Sequence, residues 1–255
     1  MSDILQERQS SYLKLTINRP EASNALSLDL FDKLSEILSE NRNDPDLKSV
    51  VVTGQGNKSF AAGGDIKKLN NVRSKNEINQ MISIGRRALN TIRFYPVPVI
   101  ALINGHALGG GAELALSCDY RIALESASLG FSQSKLNITT AWGGAIDLIN
   151  LVGNSKALLI LLEGNTFSAE KAKEWGMVDW VVPTLEDGLK TLDSKLDSLD
   201  GCSSKVIRGY KSIINQNRKK HHRSLEKIET EAFIQTWSDA DHWNAVEKLF
   251  SQSPS

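Results

Sequence analysis

The chain is poor in the residues that mark out specialised protein classes. It has two cysteines in 255 residues, Cys118 and Cys202. Two thiols in a chain this long do not make a disulfide framework, and they lack metal-ligand spacing. Both are expected to be reduced, and no metal site is expected. There is no excess of either charge, since 30 basic residues balance 30 acidic ones. That balance gives no reason to expect nucleic acid or an anionic membrane as the main partner. No apolar stretch approaches the twenty or so residues of a membrane span. The segment from Met1 to Arg8 is polar and mixed in charge, without the basic and then apolar run of a signal peptide. These absences point to a cytoplasmic protein. The remaining composition, 40% hydrophobic and 24% charged, is that of an ordinary globular chain. Its length allows a substantial core in one large domain or two small ones.

The first half alternates strand and helix patterns. Tyr12 to Asn18 alternates as a strand does. Ser27 can cap a helix running to about Asn41, with Leu30, Leu34, Ile37 and Leu38 on one face. Ser49 to Thr53 is a β-branched run closed by Gly54 and Gly56. A helical pattern from about Glu77 to Phe94 stops before Pro96 and Pro98. Val99 to Ile103 reads as a buried strand, Gly105 to Gly111 as a glycine-rich turn opening a helix to about Ser117, and Tyr120 to Ala123 as the next strand. Such alternation implies a layered α/β core. After Trp142 the pattern is mostly helical, over Ile146–Val152, Ser155–Leu162 and Ala169–Trp175. A short strand at Val178–Val182 precedes helices over Leu185–Ser198, Ser203–Gln216 and Leu225–Trp237, with a helical tail to Phe250.

Two glycine loops carry the chemical interest. Phe60-Ala61-Ala62-Gly63-Gly64-Asp65-Ile66 follows a strand and is small-sided up to Asp65. Gly105 to Glu113 also follows a strand and opens a helix. Glycine lets a ligand approach the backbone closely, and N–H groups at a helix start are unpaired and partly positive. Two such loops on one sheet edge could aim two N–H groups at one oxygen, forming an oxyanion hole. The alternatives are plain tight turns or a phosphate loop, although neither the G-x-G-x-x-G order nor a Walker lysine is present.

The ordered set Asn18-Arg19-Pro20, Asn24-Ala25-Leu26, Ala61 to Ile66, Gly105 to Leu114 and Cys118-Asp119 resembles the enoyl-CoA hydratase/isomerase, or crotonase, family. The resemblance continues through Trp142-Gly143-Gly144, Ser168-Ala169-Glu170 and Gly176-Met177-Val178. It implies an α/β fold, a crotonase-type spiral of ββα repeats over residues 1–195. A C-terminal helical region, 196–255, would serve oligomerisation and the acyl pocket. It implies an acyl-CoA thioester as substrate, with coenzyme A as part of that substrate and no other cofactor. It also implies a homotrimer or a dimer of trimers. The oxyanion hole would fall on the N–H groups of Gly64 and Gly110. The nucleotide would lie along Ala22, Ser23 and Asn24 and along Ala62, Asp65 and Ile66. Phe233 matches a position that stacks near adenine.

Glu113 lies three residues after Gly110 on the same predicted helix, so the two share a face. Helical side chains lean towards the N-terminus, which carries Glu113 back over the hole. The plain alternative is an acidic residue that merely stabilises a first helical turn. Hydratases of the family place a second glutamate at the position occupied here by Gln133. An amide orients water but cannot exchange a proton at neutral pH. The reading is therefore an enoyl-CoA hydratase-like lyase with Glu113 as acid/base. Decarboxylation of a malonyl-type acyl-CoA is the alternative, with Trp142 walling an apolar pocket or lying in plain core. A non-catalytic acyl-CoA-binding or RNA-binding member is the third. His242 falls in the C-terminal helices that approach the acyl pocket in the family and could contact a substrate carboxylate there, but it is expected to be an ordinary helix residue; His106 is expected to position its loop. The basic run Arg218 to Arg223 is expected to be a solvated helix face.

Overall fold

The computed structural model describes residues 2–9 and 11–252. The first elements are β1 (Ile4–Arg8), β2 (Tyr12–Ile17), α1 (Leu28–Glu40), β3 (Ser49–Gly54), β4 (Ser59–Ala61), α2 (Ile66–Leu69) and α3 (Lys75–Arg93). Next come β5 (Val99–Ile103), β6 (His106–Leu108), α4 (Gly110–Ser117), β7 (Tyr120–Leu124), β8 (Ser128–Gly130), α5 (Gly144–Val152) and α6 (Asn154–Glu163). The chain ends with β9 (Thr166–Ser168), α7 (Ala169–Glu174), β10 (Trp180–Val182), α8 (Leu185–Asp200), α9 (Ser204–Trp237) and α10 (Ala240–Gln252).

Two sheets form, in the orders β1-β2-β3-β5-β7-β10 and β4-β6-β8-β9. The pairs β3/β4, β5/β6 and β7/β8 each send one strand to each sheet before a helix returns the chain. Stacked parallel registers join the turns: Val50 faces Val99, Leu102 faces Ile122, and Ala107 faces Leu129. This is the ββα spiral. Every residue of β3 and β5 is buried, as expected of parallel strands covered on both faces. That is why both read as continuous apolar runs. The helix at Ser27 forms as its pattern predicts: the Ser27 hydroxyl caps Leu30 N–H, and Leu30, Leu34, Ile37 and Leu38 are buried. In α3 a full capping box, Ser74 with Glu77, sets the start two residues earlier than the periodicity suggests.

Four features differ from the sequence reading. The polar N-terminal segment, to which no element was assigned, forms β1 and pairs antiparallel with β2. The second sheet's strands are three residues each, too short for a periodicity to register. One of them, β6, lies inside the stretch read as a glycine turn. The two helices expected over Ser203–Gln216 and Leu225–Trp237 are one helix of 34 residues.

The last difference also corrects the basic run, part of which points inward. Arg218 and His222 reach Asp147 Oδ1 at 2.9 and 3.1 Å. The fully buried Arg93 grips the Asp147 carboxylate through Nε and Nη2 at 2.9 and 2.6 Å. Burial works against the Asp147 charge, but Arg93, His222 and Arg218 outweigh it and hold the carboxyl far below its ordinary range. Its contribution to stability is therefore present above the unfolded-state pKa and is lost only in strong acid. Asp147→Ala would strand the Arg93 charge in the core. Urea denaturation is expected to show a loss of about 3–5 kcal/mol, and a loss below about 1 kcal/mol would mean that Arg93 has adequate alternative partners.

Candidate active site

The spiral brings the two glycine loops together at one end of the second sheet. Ala61 closes β4, and Gly110 opens α4 beside it. A side chain could not fit between them: a Cβ on Gly111 would lie 1.9 Å from the Ala61 carbonyl oxygen. A Cβ on Gly110 would lie 3.3 Å from the Gly64 nitrogen. Gly110 is the first residue of α4, so its N–H has no acceptor one turn back. Among the described residues the Gly64 N–H also meets no acceptor, whereas the Ala62 and Asp65 N–H groups donate to Ser23 O and Leu26 O. Two free N–H groups thus stand side by side at the mouth of a helix. Such a pair can hold an oxygen that gains negative charge.

A narrow cavity of about 90 Å³ opens at this point. Ala62, Gly64, Ile66, Gly110, Glu113, Gln133, Trp142 and Phe233 all line it. Six of these come from the two loops, α2 and α4, or from the short turn at Ser132–Leu136. Phe233 arrives from α9, 100 or more residues further along the chain. Its ring is buried and stacks on Trp237 at 5.3 Å, so it forms cavity wall rather than an open adenine platform. Trp142 is both core and wall. Its indole packs edge-on against Phe31 at 4.8 Å and occupies the slot left open by Gly85 and Gly110.

Ala22, Ser23, Asn24 and Asp65 do not reach the cavity. Asn24 spends its side chain on Arg19 N, Gln55 O and Ser59 O. Asp65 caps α2 and pairs with Arg19 at 2.8 Å. These residues shape the first loop from behind. Ser23, in the left-handed region at φ 52°, ties its carbonyl to Ala62 N–H. Ala22 and Ser23 remain at the surface beside it.

Glu113 is 2% exposed. Its Oε2 accepts from the Trp142 and Gly144 N–H groups, each at 2.9 Å, and its Oε1 accepts from Gln133 Nε2 at 3.0 Å. Burial pushes this carboxyl up to about 7, and the nearby Glu229 carboxylate pushes the same way, against the three N–H donors. A group so placed exchanges a proton near neutrality. The Gln133 Oε1 atom is buried without a partner, beside Glu113, the one carboxylate among the described residues that line the cavity.

Two contributors were not assigned to the site, although the resemblance offered His242 a place beside the acyl pocket. His242 is buried in the cavity wall, contrary to the expectation of an ordinary helix position. Its Nδ1 bonds to Leu136 O at 2.7 Å, so Nδ1 carries the proton, and Nε2 has no partner. Burial lowers its proton affinity. The other is Glu229, which stands behind the loop that holds Glu113. Both lie on C-terminal helices, where helical periodicity records only a buried face.

The chain matches the family model described as enoyl-CoA hydratase/isomerase over residues 7–250. It is 32% identical over 248 residues to a short-chain-enoyl-CoA hydratase of Clostridium acetobutylicum, covering 96% of this chain and 94% of that one. It is 37% identical over 180 residues to a crotonyl-CoA hydratase of Syntrophomonas wolfei, covering 71% and 69%. The crystal structure of an enoyl-CoA hydratase from Bacillus anthracis superposes with a TM-score of 0.81 at 30% identity, covering 98% and 97%. The protein belongs to the enoyl-CoA hydratase/isomerase family and has the crotonase fold.

Gly110→Ala tests the close packing of the site. The methyl group would lie 2.4 Å from Trp142 Cζ3 and would displace the indole. Urea denaturation is expected to show a loss of about 1–3 kcal/mol, with a change in tryptophan emission. An unchanged protein would show that the slot has spare room.

Proposed function

We propose that this protein is an enoyl-CoA hydratase-like lyase that adds water across the double bond of a 2-enoyl-CoA. The observation that carries the reading is the convergence of the Gly64 and Gly110 N–H groups and the Glu113 carboxyl on one cavity. The thioester oxygen accepts from the two N–H groups. Glu113, as carboxylate, takes a proton from water while the water oxygen bonds to C3. The π electrons move to the thioester, and the enolate oxygen is held by the two glycines. Glu113 then returns the proton to C2. One carboxylate completes the cycle, and water is the only co-reactant. Gln133 donates to Glu113 Oε1 and offers its free Oε1 to the incoming water. The apolar wall of Leu69, Met81, Leu136, Ile138, Phe233 and Trp237 suits a short acyl chain.

The remaining assignments follow from the same reading. Ala62, Ile66 and Trp142 would contact the thioester and acyl chain. The surface strip at Ala22 to Asn24 and Asp65 would shape the nucleotide path. Residues 196–255 supply Phe233, Trp237 and His242 to the cavity, which supports an acyl-pocket role for that region. Their exposed apolar residues Ile213, Ile214 and Ile228 support assembly into trimers. No helix among the described residues is long and apolar enough to cross a membrane, which agrees with a cytoplasmic location.

A second reading rests on Gln133. With an amide where a second acid would stand, decarboxylation of a malonyl-type thioester needs less of the protein. The C–CO₂ bond breaks, its electrons enter the enolate held by Gly64 and Gly110, and Glu113 in its acid form protonates C2. The apolar wall would disfavour the ionised carboxylate of the substrate.

Purified protein offered crotonyl-CoA and, separately, methylmalonyl-CoA distinguishes the two. Loss of the enoyl absorbance is expected with the first. Glu113→Gln is expected to reduce it by about 10²–10⁴-fold, and Gln133→Glu to raise it. Carbon dioxide release without hydration would overturn the first reading in favour of the second. Because Glu113 must be ionised to accept the proton, kcat for hydration is expected to rise with pH through about 7. A rate that falls through that range would assign Glu113 the acid role instead.

A further inference from the structure

The backbone from Thr140 to Gly144 is held from two sides. Glu113 takes the Trp142 and Gly144 N–H groups. The N–H between them, on Gly143, points the other way and donates to Glu229 Oε2 at 2.9 Å. Glu229 Oε1 accepts from the Thr140 hydroxyl at 2.6 Å, and that hydroxyl oxygen accepts from Ala145 N–H. Arg86 Nη2 bridges Glu229 Oε2, at 2.9 Å, to the Ala141 carbonyl, at 2.7 Å. Arg93 Nη2 takes the Trp142 carbonyl at 3.1 Å. Gly143 lies in the left-handed region at φ 94°, which permits successive N–H groups to face opposite ways.

We propose that Glu229 of α9 is a positioning residue for Glu113, acting through the 140–144 backbone. The inference rests on the reading of Glu113 as the acid/base above. Glu229 does not line the cavity of Glu113. It fixes the orientation of the loop whose N–H groups hold the Glu113 oxygens, so a shift of the loop would move the proton-carrying atom. It also acts through space. Glu229 is a like charge behind a single layer of backbone, and it adds to burial in raising the proton affinity of Glu113. The other charged or titratable groups around the pair are Arg86 and Arg93 of α3, Asp147 of α5, and Glu226 and His222 of α9. His242 of α10 stands on the cavity side. Arg86 is 13% exposed and Glu229 6% by side chain, so their pairing is little screened.

Two variants separate geometry from charge. Glu229→Gln keeps an oxygen for Gly143 and Arg86 and an amide for Thr140, but removes the charge. Glu229→Ala removes the grip. The ionisation of Glu113 is read by infrared difference titration of its carboxyl band, identified by its absence in Glu113→Gln. This requires no turnover. In wild type the band is expected to titrate near 7, and in Glu229→Gln about one pH unit lower. With a turned-over thioester, the acid limb of the kcat profile is expected to move by the same amount. Glu229→Ala is expected to lower kcat by about 10²-fold with KM changed by less than about threefold. Should Glu229→Ala fail to fold, the Glu229→Gln titration decides alone. An unmoved carboxyl band in Glu229→Gln overturns the proposal. A moved band in a protein that turns over no thioester would sink the proposed reaction and leave the link between the two glutamates standing.

Discussion

Five consecutive residues, Thr140 to Gly144, belong to no sheet and only enter a helix at their end. Buried backbone groups without such partners must find others or pay the full cost of desolvation. Here charged side chains provide them. Glu113 and Glu229 take the N–H groups, and Arg86 and Arg93 take the carbonyls. The arrangement places a carboxyl group inside the protein with its hydrogen bonds satisfied and its charge still disfavoured. That combination of fixed geometry and raised proton affinity is what general acid–base chemistry near neutral pH requires. It couples the spiral to the C-terminal helices, because Glu229 lies on α9 while Glu113 lies on α4.

The other half of the site depends on the absence of side chains. The spiral sets the first turn of α4 so close to the end of β4 that Gly111 sits where any Cβ would strike the Ala61 carbonyl. That approach leaves the Gly64 and Gly110 N–H groups side by side. Trp142 then uses the space that Gly85 and Gly110 leave open and seals the back of the cavity. Backbone donors need no side-chain reorganisation when charge develops, which suits the two loops to the oxyanion hole proposed for them.

The C-terminal helices complete the cavity with groups the chemistry did not require in advance. Phe233, Trp237 and His242 form one stacked aromatic wall. The imidazole is held by the Leu136 carbonyl in the turn that contains Gln133. The same helices carry Arg218 and His222 inward to Asp147, so a run of basic residues that reads as a solvated surface is half buried machinery.

Much was legible from the chain alone, for reasons that are local. Helix α1 announces itself through Ser27 and its apolar spacing, and β3 and β5 through unbroken β-branched and apolar runs. The glycine loops and the position of Glu113 three residues after Gly110 depend only on short-range geometry, which spacing records. The departure at Gln133 was visible only against the pattern of the family that the chain resembles. Three-residue strands were not, because two or three side chains make no period. The continuity of α9 was hidden by a polar stretch whose partners, Asp119 and Asp147, lie about 70 to 100 residues away. The grip of Glu229 on the 140–144 loop was decided by tertiary packing alone, and so were the burial of His242 and its bond to Leu136. Sequence spacing reports which face of an element a residue occupies. It carries no information about which distant backbone group that face will meet once the core has closed.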